Sequence, residues 1–301
     1  MEDMTHVATM PMTAALAPFL PWTDRAGRFS RPRVLLLAIA VAPALWLVGR
    51  ALLDDLGPRP LAEAIHVCGD WAVRWLVATI VVTPLGRLLG NGRLAALRRM
   101  IGLTALAWAL AHVGLWMVDL DGDIGRIARE ILVRPYLTLG FLAFTGLAAL
   151  GATSTDGAIR RLGPVWRRLH GLVHPITLMV LVHVFLQSRL DLSQGAILTG
   201  IAAGGLAMRL WVRRPAAFGR PGFGAVAVAG AVAFGAAALA EAAFFALKTG
   251  RAPWGLLASL ADPSMRLAPA WIAAAIVVGV AGVVVAVARV RGSRRGTASG
   301  G

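Results

Sequence analysis

The fold of this chain is decided by the stretch RRLHGLVHPITLMVLVHVFL, residues 167–186, which combines membrane-length apolar character with three histidines. The histidines lie at positions 170, 174 and 183. An imidazole away from water needs a hydrogen-bond partner or a metal, because burying an unpaired polar group is costly. The stretch therefore predicts a membrane helix whose histidines serve a structural or chemical purpose.

Composition extends this interpretation to the whole chain. Of 301 residues, 58% are hydrophobic and only 15% are charged, and the mean hydropathy is +0.72. A bilayer span needs roughly 20 mainly apolar residues, and such windows occur near 34–53, 67–89, 100–118, 135–152, 170–188, 196–212, 224–247 and 268–290. The sequence predicts an all-α integral membrane protein with eight spans.

The net charge of +15 is explained by topology. If the N-terminus is cytoplasmic, twenty of the thirty basic residues fall in inner loops and tails, nine lie near the outer face, and Arg74 lies within a span. This asymmetry follows the positive-inside rule, so the basic charge gives no support for nucleic-acid binding. Residues 1–30 lack the sustained apolar region of a secretory signal, which predicts that the first span is a retained anchor.

Loop lengths and composition predict a six-span core followed by an added hairpin. The stretch RRPAAFGRPGFG after span six is rich in Pro, Gly and Arg, as linkers are. Spans seven and eight are runs of Ala, Val and Gly, which favour close helix packing in lipid; their one acidic residue, Glu241, is either a hydrogen-bonded structural carboxyl or a functional group. The predicted parts are a cytoplasmic tail at 1–33, the six-helix domain at 34–213, a linker at 214–223, the hairpin at 224–290 and a cytoplasmic tail at 291–301.

The longest outer loop of the core is DLDGDIGRIAREILVRP, residues 119–135. Its alternating aspartates, Asp119, Asp121 and Asp123, are spaced like the start of a calcium loop. Glu130 is at the twelfth position counted from Asp119, but the sixth position, which is glycine in an EF-hand, is Ile124 here. The loop predicts a short surface helix instead.

Two histidines on different spans lie at similar predicted depths. At about 1.5 Å per residue, His112 in span three and His183 in span five lie about 18 Å and 20 Å from the inner ends of their helices. Two imidazoles at equal depth can ligate one heme iron from opposite faces. The alternative is that each imidazole simply bonds a carbonyl or a neighbouring helix, but the pair favours bis-histidine heme ligation.

The inner half of span five leaves the number of hemes open. A second heme on His170 would need a partner on span three near position 99, where the chain has Arg99. His170 and His183 also face different sides of an ideal helix unless Pro175 kinks it. His174, directly before that proline, is predicted to make local polar contacts, with contact to a cofactor as the alternative.

Span two opens with His66, Asp70 and Arg74 on one helical face. Asp70 and Arg74 are in the favourable order for an ion pair; alternatively Arg74 holds a heme propionate or a quinone carbonyl. His66 is predicted to bind a quinone or a partner, or to lie in the interface without a ligand. The one cysteine, Cys68, excludes an intramolecular disulfide and a multi-cysteine metal site, and is interpreted as a packing residue.

Two other functions fit parts of this pattern. A stand-alone ferric reductase would normally carry a nicotinamide-binding unit, and no GxGxxG strand-turn-helix signature is present. A proton-coupled secondary transporter could use the polar face of span two together with Glu241, but the two similar halves with broken helices that many transporters show are not evident. Absence of heme from the purified protein would favour the transporter.

Four segments together carry a family resemblance: HVCGDWAVRWLVATIVVTPLGRLL, RRMIGLTALAWALAHVGLW, LVRPYLTLGFLAF and TSTDGAIRRLGPVWRRLHGLVHPITLMVLVHVFL. In order and spacing they resemble the MsrQ family of heme-binding membrane subunits, over about residues 34–213. The resemblance implies a six-helix ferric-reductase-like transmembrane bundle in the bacterial inner membrane. It also implies that the heme-ligand histidines are His112, His170 and His183, and that the family's histidine opening span two is His66.

The same resemblance implies a function. The family carries b-type heme, and FMN association is compatible with it. A subunit of this kind passes electrons from the quinol pool, or from a flavin donor, to a periplasmic molybdopterin partner that reduces methionine sulfoxide in oxidised proteins. This chain departs from the pattern at His174, where an aromatic residue is expected, and in having spans seven and eight.

Overall fold

A computed structural model describes residues 22–23, 28–90, 92–188, 191–213, 222–260 and 268–297. Apart from one isolated β-bridge between Thr23 and Phe29, these residues form helices and connecting turns, with no strand among them. The helices are α1 (Arg31–Leu52), α2 (Pro60–Leu88), α3 (Gly92–Asp119), α4 (Ile124–Val133), α5 (Pro135–Ala152), α6 (Asp156–Leu162), α7 (Pro164–Gly171), α8 (Val173–Gln187), α9 (Ser193–Val212), α10 (Phe223–Thr249), α11 (Trp254–Ser259) and α12 (Pro269–Thr297).

Within the described ranges, eight helical segments are long and apolar enough to cross a membrane. They are Arg31–Leu52, Pro60–Leu88, Leu97–Asp119, Pro135–Ala152, Pro164–Gln187, Ser193–Val212, Phe223–Thr249 and Pro269–Val290. Each overlaps one of the eight apolar windows of the sequence. The prediction of an all-α, multi-span membrane protein is confirmed.

The chain divides into two compact units, residues 1–64 and 65–301. The described part of the first unit is built around α1, which starts with a proline in its first turn and contains a second, Pro43. Proline in the first turn is favourable because its missing N–H has no partner there anyway. Beyond the helix, the side chain of Arg50 bonds Asp55 at 3.1 Å.

In the second unit, α2, α8 and α9 share an apolar core. Val73 and Val77 of α2 pack with Leu181 of α8 and with Leu198 and Ala202 of α9. Each of these side chains is buried. Burial on this shared face fixes the rotation of α8, and therefore decides where its histidines point.

The fifth span is interrupted between α7 and α8, at Leu172. Pro175 has no N–H to donate to the carbonyl of Gly171, so one helical hydrogen bond is missing where the interruption falls. His170 ends up on α7, and His174 and His183 lie on α8. The two ends of this span are therefore separate short helices.

The last two spans, α10 and α12, pack against α9 and against each other. A Cβ atom added to Gly200 of α9 would come within 2.6 Å of the carbonyl oxygen of Ala233 and of Cβ of Ala273. The small residues of these helices therefore permit the close packing expected in lipid. The division into a core, a linker and a hairpin stays a prediction; residues 214–221 of the linker lie outside the described residues.

The predicted surface helix after span three is confirmed as α4. The carboxylate of Asp123 accepts a hydrogen bond of 3.0 Å from the backbone N–H of Arg126, which caps the helix. Ile127 is buried, whereas Ile124 and Leu132 are exposed. An amphipathic helix of this kind suits the membrane–water interface.

Candidate functional site

His112 of α3 is held by the backbone of the neighbouring helix α2. Its Nδ1 lies 2.8 Å from the carbonyl oxygen of Ile65. A carbonyl oxygen only accepts, so Nδ1 must carry the proton and donate it. The lone pair of the neutral ring is therefore on Nε2, the nitrogen that remains available as a ligand.

His183 of α8 has the same arrangement with a different helix. Its Nδ1 lies 2.7 Å from the carbonyl oxygen of Tyr136 in the first turn of α5. The same reasoning assigns the proton to Nδ1 and the lone pair to Nε2. Two different neighbouring helices therefore hold the rings of His112 and His183 in the same way.

A glycine lies against each of these rings, four residues after the carbonyl that the ring bonds. A Cβ atom on Gly69 would come within 2.9 Å of Nδ1 of His112, and one on Gly140 within 2.8 Å of Nδ1 of His183. Such distances are far below ordinary van der Waals contact. Each imidazole thus lies in a cradle formed by a helix carbonyl and a glycine.

These two cradles fit a heme-type metal group better than a mononuclear metal site. Across the described ranges, no three His, Cys, Asp or Glu side chains come together to hold a metal ion. Bis-histidine heme ligation requires only one imidazole from each side, with Nε2 free and Nδ1 bonded to fix the ring. His112 and His183 both meet that requirement.

A polar network begins at Asp70, the residue that follows Gly69 of the His112 cradle. The amide of Gln194 in α9 donates to Asp70 at 2.7 Å and accepts from Nη2 of Arg74 at 3.1 Å. The predicted pair between Arg74 and Asp70 is present at 3.5 Å, and the guanidinium also lies 5.2 Å from the ring centre of Trp71. Both charged side chains are only partly exposed. Because Gln194 of α9 bonds both of them, α9 contributes to holding Arg74 in place.

His66 lies near this network but faces outward. It is exposed, and its Nε2 lies 3.0 Å from the side-chain nitrogen of Gln187 at the end of α8. The amide nitrogen can only donate, so Nε2 of His66 accepts. The contact links the start of α2 to the end of the helix that carries His183.

His170 is in a different environment from His112 and His183. Its Nε2 lies 3.1 Å from the hydroxyl of Thr153, and its ring stacks on Trp166 with centroids 4.0 Å apart. The indole N–H of Trp166 also donates to the carbonyl of Thr153 at 2.9 Å. The nitrogen that a metal would use is therefore already engaged.

His174 makes a polar contact with another helix, α9, and not with the backbone next to Pro175. A guanidinium N–H of Arg209 donates to its Nε2 at 2.9 Å. The ring proton is then on Nδ1, which is buried and has no partner among the residues the structure describes. This contact, too, occupies Nε2.

Two further residues singled out by the sequence lie away from the cradles. Cys68 is buried, as expected for a packing residue. Glu241 is partly buried within α10, and within the described ranges no side chain or backbone group hydrogen-bonds to it.

Several contributors to the site were not identified from the sequence. The carbonyl groups of Ile65 and Tyr136 leave no side-chain signal, and Gln187 and Gln194 are ordinary residues in their sequence context. A repeated spacing in the sequence could have pointed to the two carbonyl groups. His112 and His183 each follow their carbonyl partner by 47 residues, and a glycine follows the same partner by four.

The fold and site define a helical membrane protein in which two imidazoles bond backbone carbonyls through Nδ1, and the comparisons agree with a membrane protein of this class. The family model described as ferric reductase like transmembrane component matches residues 68–182. No solved structure matches the chain.

Curated relatives narrow the class to one family. A protein-methionine-sulfoxide reductase heme-binding subunit MsrQ from Xanthomonas euvesicatoria is 39% identical over 60% of this chain and 85% of its own length. Subunits of the same name from Xanthomonas campestris (42% identical, 56% of this chain and 78% of theirs) and Caulobacter vibrioides (34%, 58% and 83%) are also similar. The chain belongs to the MsrQ family.

Proposed function

We propose that this chain is a heme-binding electron-transfer subunit of a protein-methionine-sulfoxide reductase system, in which His112 and His183 would hold the heme iron. The observation that supports this most strongly is the pair of hydrogen bonds from Nδ1 to backbone carbonyls. They fix the tautomer and the ring orientation, and they leave Nε2 of both rings without a protein partner among the described residues. A bound b-type heme would supply one-electron transfer within the membrane.

The protein contributes positioning and an apolar surrounding. Neither imidazole can rotate without breaking its carbonyl bond or colliding with its glycine, Gly69 or Gly140. Trp108, one turn before His112, is buried and lies 6.3 Å from Trp71 between ring centres, so indoles border this part of the site. An apolar shell of this kind influences the redox potential of a bound heme.

Arg74 is the candidate for contacting an anionic group on the cofactor or a quinone carbonyl. Its polar contacts with Asp70 and Gln194 both use Nη2. Guanidinium has five N–H donors in a fixed fork, so Nε and Nη1 remain for a carboxylate. His66, bonded to Gln187 at the exposed edge, is placed to meet a quinol or a protein partner.

Topology gives the direction of transfer in this proposal. With the N-terminus in the cytoplasm, the start of α5 and the ends of α3 and α8 face the periplasm. His112 and His183 then lie in the periplasmic half, where electrons would leave for a molybdopterin-containing reductase. The donor would be the quinol pool or a flavin, with FMN as a second cofactor, and the partner, not this chain, would reduce methionine sulfoxide.

Heme content of purified variants tests the proposal. The chain is purified in mild detergent, oxidised and dithionite-reduced spectra are recorded, and heme is quantified as pyridine hemochrome for wild type, His112→Ala, His183→Ala and His170→Ala. Sharp b-type bands that disappear in the first two variants and persist in His170→Ala would support one heme on His112 and His183. Loss of part of the heme in His170→Ala would indicate a second heme.

A well-folded wild-type protein without heme would contradict the proposal. In that case the polar groups of α2, together with Glu241, would become candidates for a proton-coupled transporter. Transport assays in proteoliposomes would then be the next experiment.

A further inference from the structure

The final turn of α8 is a junction where four other helices meet. This terminal turn, residues 183–187, carries His183 bonded to α5, Phe185 packed against α9 and α10, and Gln187 bonded to His66 of α2. Only two of these helices, α9 and α10, hold the turn without involving the proposed site itself. The contribution of α10 is unexpected, because α10 belongs to the spans that lie beyond the six-helix unit.

Phe185 is fixed on both sides. Its side chain is 1% exposed, and its ring stacks on Phe244 of α10 with centroids 4.4 Å apart and planes 2° apart. On the other side, a Cβ atom added to Gly195 of α9 would come within 3.0 Å of the same ring. The ring therefore has one position, and the backbone two residues after His183 is fixed with it.

Lys248 of α10 closes the end of α8. Its ammonium group donates to the carbonyl of Ser188 and reaches the carbonyl of Leu186 at 3.5 Å. The last carbonyls of a helix lack partners within the helix, and a positive charge there is also favoured by the helix dipole. Lys248 thus stabilises the end of the helix that carries His183.

Phe244 and Lys248 are four residues apart on α10 and so lie on one helical face. We propose that these two side chains of the added hairpin are positioning residues for His183, holding the terminal turn of α8 so that its imidazole keeps one orientation. This inference rests on the proposed function of His183 as a heme ligand. It gives the last two spans a role in the site without placing any of their residues on the cofactor.

The physical reason is that helix ends fray unless they are tied down. His183 lies in the last turn of α8, where local opening would move the imidazole relative to its partner helix α5. Ligand orientation controls both how tightly a metal group is held and how it behaves electronically. Loosening the turn should therefore speed heme loss and spread the ligand geometry, while the ligand itself stays in place.

Four variants isolate this effect: Phe244→Ala, Lys248→Met, Lys248→Arg and Leu247→Ala. Lys248→Met removes the charge but keeps an unbranched side chain, and Lys248→Arg retains a donor. Leu247 is 77% exposed on the same helix, so Leu247→Ala is a matched control that truncates α10 without touching α8. Each variant is compared with wild type for heme content, rate of heme transfer to excess apomyoglobin, and the low-spin electron paramagnetic resonance signal of the oxidised protein.

Phe244→Ala and Lys248→Met should retain heme after purification but release it about fivefold faster than wild type, the change expected from losing one helix-terminal contact. Their low-spin signals should be broader than that of wild type. Lys248→Arg and Leu247→Ala should match wild type in both measurements. A general destabilisation of the hairpin would also affect the control, whereas a positioning role would not.

Release rates and spectra of Phe244→Ala and Lys248→Met that equal those of Leu247→Ala would overturn the inference. If Phe244→Ala fails to yield monodisperse protein, Lys248→Met and Lys248→Arg decide the question. The failure of the proposed function has a different signature: wild type would bind no heme, or His183→Ala would bind as much as wild type.

Discussion

Four histidines of spans three and five differ in which ring nitrogen makes the hydrogen bond, and the difference follows the end of the span at which each histidine lies. At one end, His112 and His183 each donate from Nδ1 to a backbone carbonyl. At the other end, His170 and His174 use Nε2, toward the hydroxyl of Thr153 and the guanidinium of Arg209. The same side chain thus uses Nδ1 for its hydrogen bond at one end and Nε2 at the other.

The difference shows that counting membrane histidines does not by itself identify ligands. All four residues are partly buried, and each has a polar partner, as a buried imidazole must. What distinguishes them is which nitrogen the partner occupies. A carbonyl bonded to Nδ1 leaves Nε2 without a protein partner among the described residues, whereas a side chain bonded to Nε2 engages that nitrogen.

The largest expected effect comes from filling the glycine cradles. Gly69→Val and Gly140→Val would push atoms against Nδ1 of His112 and His183, where even a Cβ atom has no room. Overpacking of this kind costs about 1–3 kcal/mol, so heme affinity should fall by about 5- to 150-fold. Heme content after purification measures this. Gly114→Val, at a glycine of α3 with no neighbour within 4 Å of an added Cβ, should keep wild-type heme.

His174→Ala should change the stability of the protein but not its heme content. Arg209 would lose the acceptor of its 2.9 Å hydrogen bond within a membrane span, at a cost of roughly 1.5–3 kcal/mol. Thermal unfolding in detergent should shift to lower temperature, while the heme content per folded protein stays at the wild-type value. Loss of heme from this variant would show that the end carrying His174 also takes part in cofactor binding.

A weaker contribution is expected from the ion pair at the same end as His170. Arg99 and Asp156 are 2.7 Å apart, but their side chains are 39% and 55% exposed. Exposed pairs of this type contribute below about 1 kcal/mol. Asp156→Asn should therefore lower the unfolding temperature only slightly, and heme spectra should not change. A large loss of heme would mean that the loop before α6 supports the site.

The smallest expected effect is on the free energy of unfolding at acidic pH, and it involves Asp191, just before α9. The backbone N–H and the hydroxyl of Ser193 hold the pKa of the Asp191 carboxyl below its usual range. Its contribution is therefore complete at neutral pH and is lost as the pH falls through the depressed folded-state pKa, below about pH 4. Asp191→Asn should remove this small pH dependence of unfolding. An unchanged acid profile in this variant would contradict the assignment.

Much of the architecture could be predicted from the sequence because membrane spans have a strong signal. Each apolar window overlaps one segment that is long and apolar enough to span a membrane. Because the outer loop does not match the spacing of a calcium loop, the sequence predicted a surface helix there, and α4 is that helix. The ion pair of Asp70 and Arg74 followed from their i, i+4 order. These features depend on composition and local spacing, which a sequence displays directly.

The tautomers and the supporting contacts could not be predicted in the same way. Every residue has a backbone carbonyl group, so the identities of Ile65 and Tyr136 do not indicate that their carbonyl oxygens bond an imidazole. The engagement of His170 by Thr153 depends on the packing of α5 against α7, and the stacking of Phe244 on Phe185 depends on α10 returning to α8. Such contacts are tertiary, and the linker-like composition after span six predicted only an added hairpin, without its contacts to α8.

The most direct test of the central claim is near-infrared magnetic circular dichroism of the oxidised, purified protein, which identifies the axial ligands of a heme. Wild type should show the band of bis-imidazole ligation, and the band should disappear in His112→Ala and in His183→Ala but persist in His170→Ala and His174→Ala. Persistence of the band in His183→Ala, or its complete loss in His170→Ala, would contradict the assignment of the two carbonyl-bonded histidines as the ligands.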